Sequence, residues 1–367
     1  MNNKSKTYFI HLYDDYSGSP RVLSEMINAV DGNKVLITSN SNGILSKVNG
    51  VKSFFFYYKV GKSTLSKLLL FLYANVVIFF ILFNLLLRDK INRVKSTVVI
   101  NTMLPFGALI AAGLFRRKVV VYLHETSIKP ALLKKTLRFF ISKFAAEIIY
   151  VSKFLRDVED FPQVTQKTVI YNPVSPLLIN DVIDLKHKYN SKNVVFLSSL
   201  VPYKGINDYI KIASNSSAAN DGLIFNLVLN CTVDDFIKFK RQVPLPHNIR
   251  LFNRPDNLKE IYFDSGIVLN LSNPNKWIET FGLTLAEGMS NGLVPIGPEV
   301  GGPLEIIREG CGFCINHDEH DAILMKINYL FSNEDEYMLY ANNSMMHSKI
   351  YSLDHYKNSL HSFFEKI

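Results

Sequence analysis

Cysteine is scarce: three thiols among 367 residues leave no disulfide framework and fit a reducing compartment. Tryptophan occurs once, and no low-complexity tract or short internal repeat interrupts the chain. The chain lacks a helix-turn-helix pattern, zinc-knuckle spacing and an RNP-like aromatic motif, which excludes the common nucleic-acid modules. Acidic residues are sparse in the first half. Residues 1–175 carry 24 Lys/Arg against 10 Asp/Glu, a net of +14, and residues 176–367 carry 17 against 22, a net of −5. This split predicts an anionic partner for the first half alone, and with nucleic acid set aside that partner is a lipid surface. The opening, MNNKSKTYFIHLYDDYSG, has only a short apolar run around His11 and reads as a first strand, not a secretory signal. Apolar residues make up 48% and charged residues 20%, enough to fill the cores of two ordinary domains.

Residues 68–87, LLLFLYANVVIFFILFNLLL, contain no charge. As a helix of about 30 Å they are long enough to cross a bilayer. Apolar strand patterns lie on both sides of the run, however, and a single crossing would split them between two compartments. Basic residues also flank both ends (Lys62 and Lys67; Arg88, Lys90, Arg93 and Lys95), so charge asymmetry gives no orientation. We expect a helix over 64–88 that packs on a sheet and turns its outer face to the lipid interface. A second basic helix over 131–145, with Lys134, Lys135, Arg138 and Lys143, reads as a solvated face or as a further lipid contact.

Strand and helix patterns alternate through the first half, break after IYNPVSP, and resume. Alternation implies parallel βαβ units, hence two doubly wound α/β domains. We place them at 1–175 and 176–346, with a final helix at 347–367.

The stretch from Ser272, SNPNKWIETFGLTLAEGMSNGLVPIGPEVGGPLEII, carries the chemistry. Glu279 precedes a helix opened by Thr280, Phe281 and Gly282, and Glu287 follows two turns later. A helix start with glycine presents free amides and a positive dipole end, suited to a phosphate or a sugar hydroxyl. A carboxylate just ahead of it accepts from sugar hydroxyls, and a buried Glu287 needs donors such as a ribose diol. Cys311-Gly-Phe-Cys314 lies before a strand rather than at a helix start and reads as packing. His317 and His320, among acidic neighbours, read as a solvated loop. No Asp-x-Asp follows a strand, and no metal or cofactor is expected.

Glu279, Phe281, Gly282, Glu287, Gly292, Pro295, Gly301, Gly302 and Glu305 together resemble glycosyltransferase family 4, whose members are retaining enzymes of the GT-B fold. FLSSLVPYKGINDYIKIA at 196–213, VIYNPV at 169–174 and VVVYLHET at 119–126 agree with that resemblance. It implies two Rossmann-like domains facing across a cleft, with the last helix returning to the first domain. It further implies that Glu279 holds the donor sugar and that Lys204 neutralises its diphosphate. His124 would approach the sugar from the first domain, and Glu287 would take the ribose. The amides around Thr280, Phe281, Gly282 and Leu283 would face sugar and diphosphate, and Gly18 and Ser19 stand where the family has a glycine-rich loop. The family usually has an arginine where this chain has Ser199. A hydroxyl replaces neither the charge nor the bidentate reach of a guanidinium, and Arg254 is the candidate substitute.

The expected reaction is transfer of a sugar from a nucleotide-diphospho-sugar to a hydroxyl with retention of configuration. The expected acceptor is a lipid-linked saccharide of a bacterial surface polysaccharide, of O-antigen or capsule type. The expected place is the cytoplasmic face of the cell membrane, held peripherally by anionic lipid. A GT-B nucleotide-sugar 2-epimerase and a non-catalytic sugar-nucleotide-binding module at the membrane are the rivals.

Overall fold

The computed structural model describes residues 5–219 and 221–366. The chain divides into two compact units, Met1–Tyr171 with Lys357–Ile367, and Asn172–Tyr356.

The first unit is built on seven parallel strands: β1 (Ser5–Ile10), β2 (Asn33–Ser39), β3 (Lys52–Phe56), β4 (Lys95–Asn101), β5 (Lys118–Leu123), β6 (Glu147–Tyr150) and β7 (Gln166–Val169). They lie in the order β3-β2-β1-β4-β5-β6-β7. The crossovers are α1 (Gly18–Ala29), α2 (Thr64–Ile91), α3 (Phe106–Leu114), α4 (Ala131–Phe144) and α5 (Lys153–Val158). Central strands such as β5, KVVVYL, are buried on both faces and therefore read as continuous apolar runs.

The second unit opens with α6 (Leu185–Ser191) and then repeats the plan. Its strands are β8 (Asn193–Ser199), β9 (Ile224–Asn230), β10 (Ile249–Asn253), β11 (Ile267–Leu269), β12 (Val294–Gly297) and β13 (Phe313–Cys314), in the order β10-β9-β8-β11-β12-β13. The helices between them are α7 (Ile206–Ala219), α8 (Val233–Gln242), α9 (Leu258–Phe263), α10 (Leu283–Ser290) and α11 (Pro303–Ile306). After them come α12 (His320–Ser332) and α13 (Glu334–Ser348), and last α14 (Leu353–Glu365), which from Lys357 onwards belongs to the first unit. The terminal segment is thus not one helix from 347: a single turn at Lys349–Tyr351 separates α13 from α14. In both sheets the winding reverses once, between β1 and β4 and between β8 and β11. The carboxyl ends of those strand pairs are where an open α/β sheet leaves a crevice for ligands.

The charge-free run is α2, which connects two strands of one sheet. Phe71, Ala74, Asn75, Ile78, Leu82 and Leu86 recur every three or four residues and form its buried stripe. At the centre of that stripe α3 comes close. Gly107 N donates to Asn75 Oδ1 at 2.9 Å, and a Cβ on Gly107 would stand 2.0 Å from the Asn75 carbonyl oxygen. At the helix end the buried Asp89 accepts from Lys6 Nζ and Tyr8 Oη, both at 2.6 Å, and so ties α2 to β1. A bilayer crossing would pull these partners apart. The opposite stripe, with Leu65, Leu68, Leu69, Leu72, Val76 and Phe80, is exposed. Phe79 and Phe83 are only half-exposed, and Phe83 packs on Phe115 with ring centroids 5.0 Å apart.

The basic face of α4 differs from its expected solvated or lipid-facing form. Lys134 and Arg138 both pair with the buried Glu159, leaving Lys135 exposed and Lys143 beside Phe139 and Phe144. Two of its four cations are therefore committed inside the unit.

Candidate functional site

The second unit gathers its charged groups beyond β8 and β11, at the reversal of winding. β8 ends at Ser199, and the turn Pro202–Lys204 follows. Gly205 then adopts φ +85° and lies so close to the Leu271 carbonyl that a Cβ would stand 2.1 Å from its oxygen. Asn273 N donates to the Tyr203 carbonyl at 2.8 Å. The lysine turn is thereby strapped to the loop after β11, and Lys204 Nζ reaches Glu279 Oε2 at 2.6 Å. Ser272 Oγ adds a bond to the same oxygen at 3.3 Å.

Burial pushes the Glu279 carboxyl up, but the Lys204 charge, together with hydrogen bonds from Lys204, Ser272 and Asn270, prevails and holds it below its ordinary value. The backbone around it is fixed from behind. Gly302 N donates to the Glu279 carbonyl at 2.8 Å, and Cβ atoms on Gly301 and Gly302 would stand 2.4 Å from Glu279 O and Phe281 Cα. The two adjacent glycines are required by this close approach of main chain to main chain.

The helix after Glu279 begins three residues later than the sequence predicts. Thr280 and Phe281 are buried and extrahelical, Gly282 is the N-cap at φ +100°, and Leu283 is the first helical residue. As at any helix start, the first amides of α10 have no acceptor within the helix. Glu287 is 2% exposed, and its Oε2 accepts from Tyr262 Oη at 2.8 Å. One donor the buried carboxylate needs thus comes from α9. Tyr203 and Trp277, which the sequence reading passed over, stack at 5.6 Å beside the Lys204–Glu279 pair, with Lys204 Nζ 5.6 Å from the Trp277 ring. That the chain has a single tryptophan, two residues from Glu279, was the available signal.

Ser199 pairs in register with Asn230, the last residue of β9. Arg254, just past β10, donates from Nε to Asn230 Oδ1 at 2.6 Å. Arg254 therefore stands two strand spacings, about 10 Å, from Ser199, with Asn230 between them.

In the first unit the side chains past β1, β4 and β5 form a hydrogen-bonded cluster. His124 follows β5, and its Nε2 lies 2.8 Å from Asn101 Oδ1 at the end of β4. Asn101 Nδ2 reaches His11 Nδ1, just past β1, and the Ser19 carbonyl in α1, each at 3.0 Å. Ser19 and His124 are thus brought together through Asn101. Gly18 starts α1 with open space where a Cβ would be, so nothing steric demands glycine there. Burial, reinforced by the nearby His11, pulls the His124 imidazole down to about 3, and burial lowers His11 as well. Beside them, burial pushes the Glu125 carboxyl up to about 7, although it accepts from the amides of Met103 at 2.8 Å and His124 at 3.2 Å. Asn101, His11 and Glu125 were also missed. Their signal was position, since each stands at or just past the end of a central strand.

Two other sequence features resolve simply. Cys311 and Cys314 are free thiols, pushed up by burial. His317 and His320 do not lie in a solvated loop. Both close on Asp208 in the first turn of α7, at 3.2 and 2.9 Å. Among the described residues no group of three His, Cys, Asp or Glu is arranged to hold a metal.

No curated protein matches the chain in sequence. Solved structures do. HepE of Anabaena in complex with UDP-glucose aligns with a TM-score of 0.77 at 16% identity over 99% of this chain and 100% of that one. A glycosyltransferase from Rickettsia africae aligns at 0.75 and 16% over 99% and 98%. Sucrose-phosphate synthase from Thermosynechococcus elongatus aligns at 0.70 and 12% over 99% and 98%. These likenesses, with the two parallel-sheet units, establish the GT-B fold. Within that fold, residues 181–345, which carry Lys204, Glu279 and Glu287, match the family described as glycosyl transferases group 1.

Proposed function

We propose that the chain is a retaining glycosyltransferase that moves a sugar from a nucleoside-diphospho-sugar to a hydroxyl acceptor. The observation that carries this reading is the Lys204–Glu279 pair, strapped by glycine contacts at the head of α10. HepE, which shares the fold, was crystallised with UDP and with UDP-glucose, so uridine diphosphate is the first ligand to test. In this reading a donor's diphosphate takes Lys204 from Glu279, and the released carboxylate accepts hydroxyls of the sugar. Lys204 and the α10 amides then stabilise the negative charge that develops on the departing diphosphate. With Ser199 in place of an arginine, the second cation is Arg254, delivered from its hold on Asn230.

The acceptor we propose is a lipid-linked saccharide of a bacterial surface polysaccharide, met at the cytoplasmic face of the membrane. The exposed stripe of α2 supports this, because contiguous exposed apolar surface marks an interaction site. Lys62, Lys67, Arg88, Lys90, Arg93 and Lys95 are all exposed around its ends. Each cation held at an anionic surface contributes about 1 kcal/mol.

Binding of UDP, measured calorimetrically, and release of nucleoside diphosphate from a panel of nucleotide sugars with lipid-linked acceptors test the reaction. Absence of both removes the enzymatic reading. For the membrane, Leu69, Val76 and Phe80 together replaced by serine should abolish sedimentation with anionic vesicles while leaving the melting temperature within a few degrees. Phe83→Ser should instead destabilise the unit, since that ring packs on Phe115. Equal sedimentation of wild type and the triple variant would remove α2 from the membrane contact.

A further inference from the structure

We infer that Asn101 is a positioning residue that fixes the tautomer of His124, with the proton on Nε2 and the lone pair on Nδ1. The orientation of the Asn101 amide is settled by a partner that has no choice. The Ser19 carbonyl only accepts, so the group 3.0 Å from it is the Nδ2 amino group. Oδ1 then faces His124 Nε2 at 2.8 Å, and a carbonyl oxygen can meet that nitrogen only if the nitrogen carries a hydrogen. The second hydrogen of Nδ2 points to His11 Nδ1 at 3.0 Å, which must accept, so His11 carries its own proton on Nε2. One fully buried amide thus sets two imidazoles.

The surroundings keep His124 neutral. Asn101 faces it from β4, and its ring lies 4.4 Å from the Tyr122 ring, centroid to centroid. His11, beyond the amide, disfavours a second positive charge, and the nearby Glu125 carboxylate is engaged by the Met103 and His124 backbone amides. A neutral imidazole whose one N–H is committed to Asn101 is not built to deliver a proton to a leaving group. The inference therefore excludes His124 from acid catalysis. It rests on the proposed donor reading only for the kinetic arm of its test.

Nitrogen-15 NMR of the histidine side chains in the full chain, with His124 assigned by its loss in His124→Gln, reads the tautomer directly. The expected wild-type spectrum at neutral pH shows the Nε2–H form, unchanged down to about pH 5. An Nδ1–H form, or an imidazolium at neutral pH, overturns the inference without any variant. Asn101→Asp keeps the shape and the acceptor but supplies a negative charge and removes the donor to Ser19 and His11. The His124 titration point should then rise by at least about one unit. With a donor in hand, kcat should fall on the order of tenfold while KM for the nucleotide sugar moves less than about threefold. A His124 titration unmoved in Asn101→Asp also overturns the inference. If the spectra agree but no nucleotide sugar turns over, the inference stands and the proposed function falls.

Discussion

Glu125 and Glu279 each stand in a loop beyond a parallel strand, β5 in the first unit and β11 in the second. Burial pushes both carboxyls up, yet Glu125 stands near 7 and Glu279 below its ordinary value. The main difference is one cation. Glu125 has backbone amides, among them those of Met103 and His124, while Glu279 has Lys204 at 2.6 Å with hydrogen bonds from Ser272 and Asn270 beside it. Amide hydrogen bonds do not offset desolvation of a charge here, whereas a paired ammonium does. Glu125 thereby titrates near neutrality, whereas Glu279 stays ionised there.

The largest effect should come from removing that cation. Lys204→Ala should lower kcat/KM for transfer by about a hundredfold or more, the scale of losing a preorganised charge at a leaving group. In the same variant the Glu279 carboxyl loses its paired charge, so burial should raise its titration from the wild-type position. Retained activity together with an unshifted Glu279, followed by carboxyl NMR, would erase the contrast between the two carboxyls.

Glu279→Gln tests the pair from the other side. The carboxylate competes with a diphosphate for Lys204, so removing its charge should tighten free UDP by about fivefold while transfer is lost. That factor corresponds to the roughly 1 kcal/mol of a partly exposed ion pair. Calorimetry on wild type and variant decides. Weaker UDP binding in Glu279→Gln would mean that Glu279 orients Lys204 for the phosphate instead of restraining it.

Much of this architecture was legible. Strand and helix alternate with little overlap because buried parallel strands and amphipathic helices differ in apolar period, and the expected alternation is the one observed. The glutamate loop was legible because its glycines answer to backbone contacts that leave a fixed spacing. Asn101 and His11 were not. A single polar residue ending an apolar run looks like an ordinary strand end, and only the sheet order reveals that β1, β4 and β5 are neighbours. Lys188 was hidden for the opposite reason. A lysine in a polar stretch reads as surface, yet it is fully buried and donates to the carbonyls of Phe263 and Ser265. Burial brings its ammonium down to about 7. Nor did the run of α2 reveal which rings face outward. Its buried stripe is chosen by where α3 and Asp89 dock, not by hydrophobicity, which is high on both sides.

The smallest effect separates Glu125 from its neighbour His124. The Glu125 carboxyl is raised from 4.5 to about 7, so between those values the folded chain holds a proton that the unfolded chain has released. That contribution to stability is complete below 4.5 and is lost as pH rises towards 7. His124 is lowered from 6.5 to about 3, so between those values the unfolded chain binds a proton that the folded chain refuses. Its contribution is complete above 6.5 and is lost as pH falls towards 3. From pH 4.5 to 6.5 the two slopes oppose each other and wild type should show little net dependence from this pair. Glu125→Gln should leave only the histidine slope, with unfolding free energy rising by on the order of 1 kcal/mol across that window after allowance for residual solvent contact. His124→Gln should leave only the carboxyl slope, falling by a similar amount. Glutamine has one acceptor oxygen for two amides, so Glu125→Gln should also be less stable at every pH, and the slope rather than the height is the readout. Urea unfolding at pH 5, 6 and 7 measures it. Parallel profiles in the two variants would mean that one of these groups does not carry its charge as the geometry around Asn101 requires.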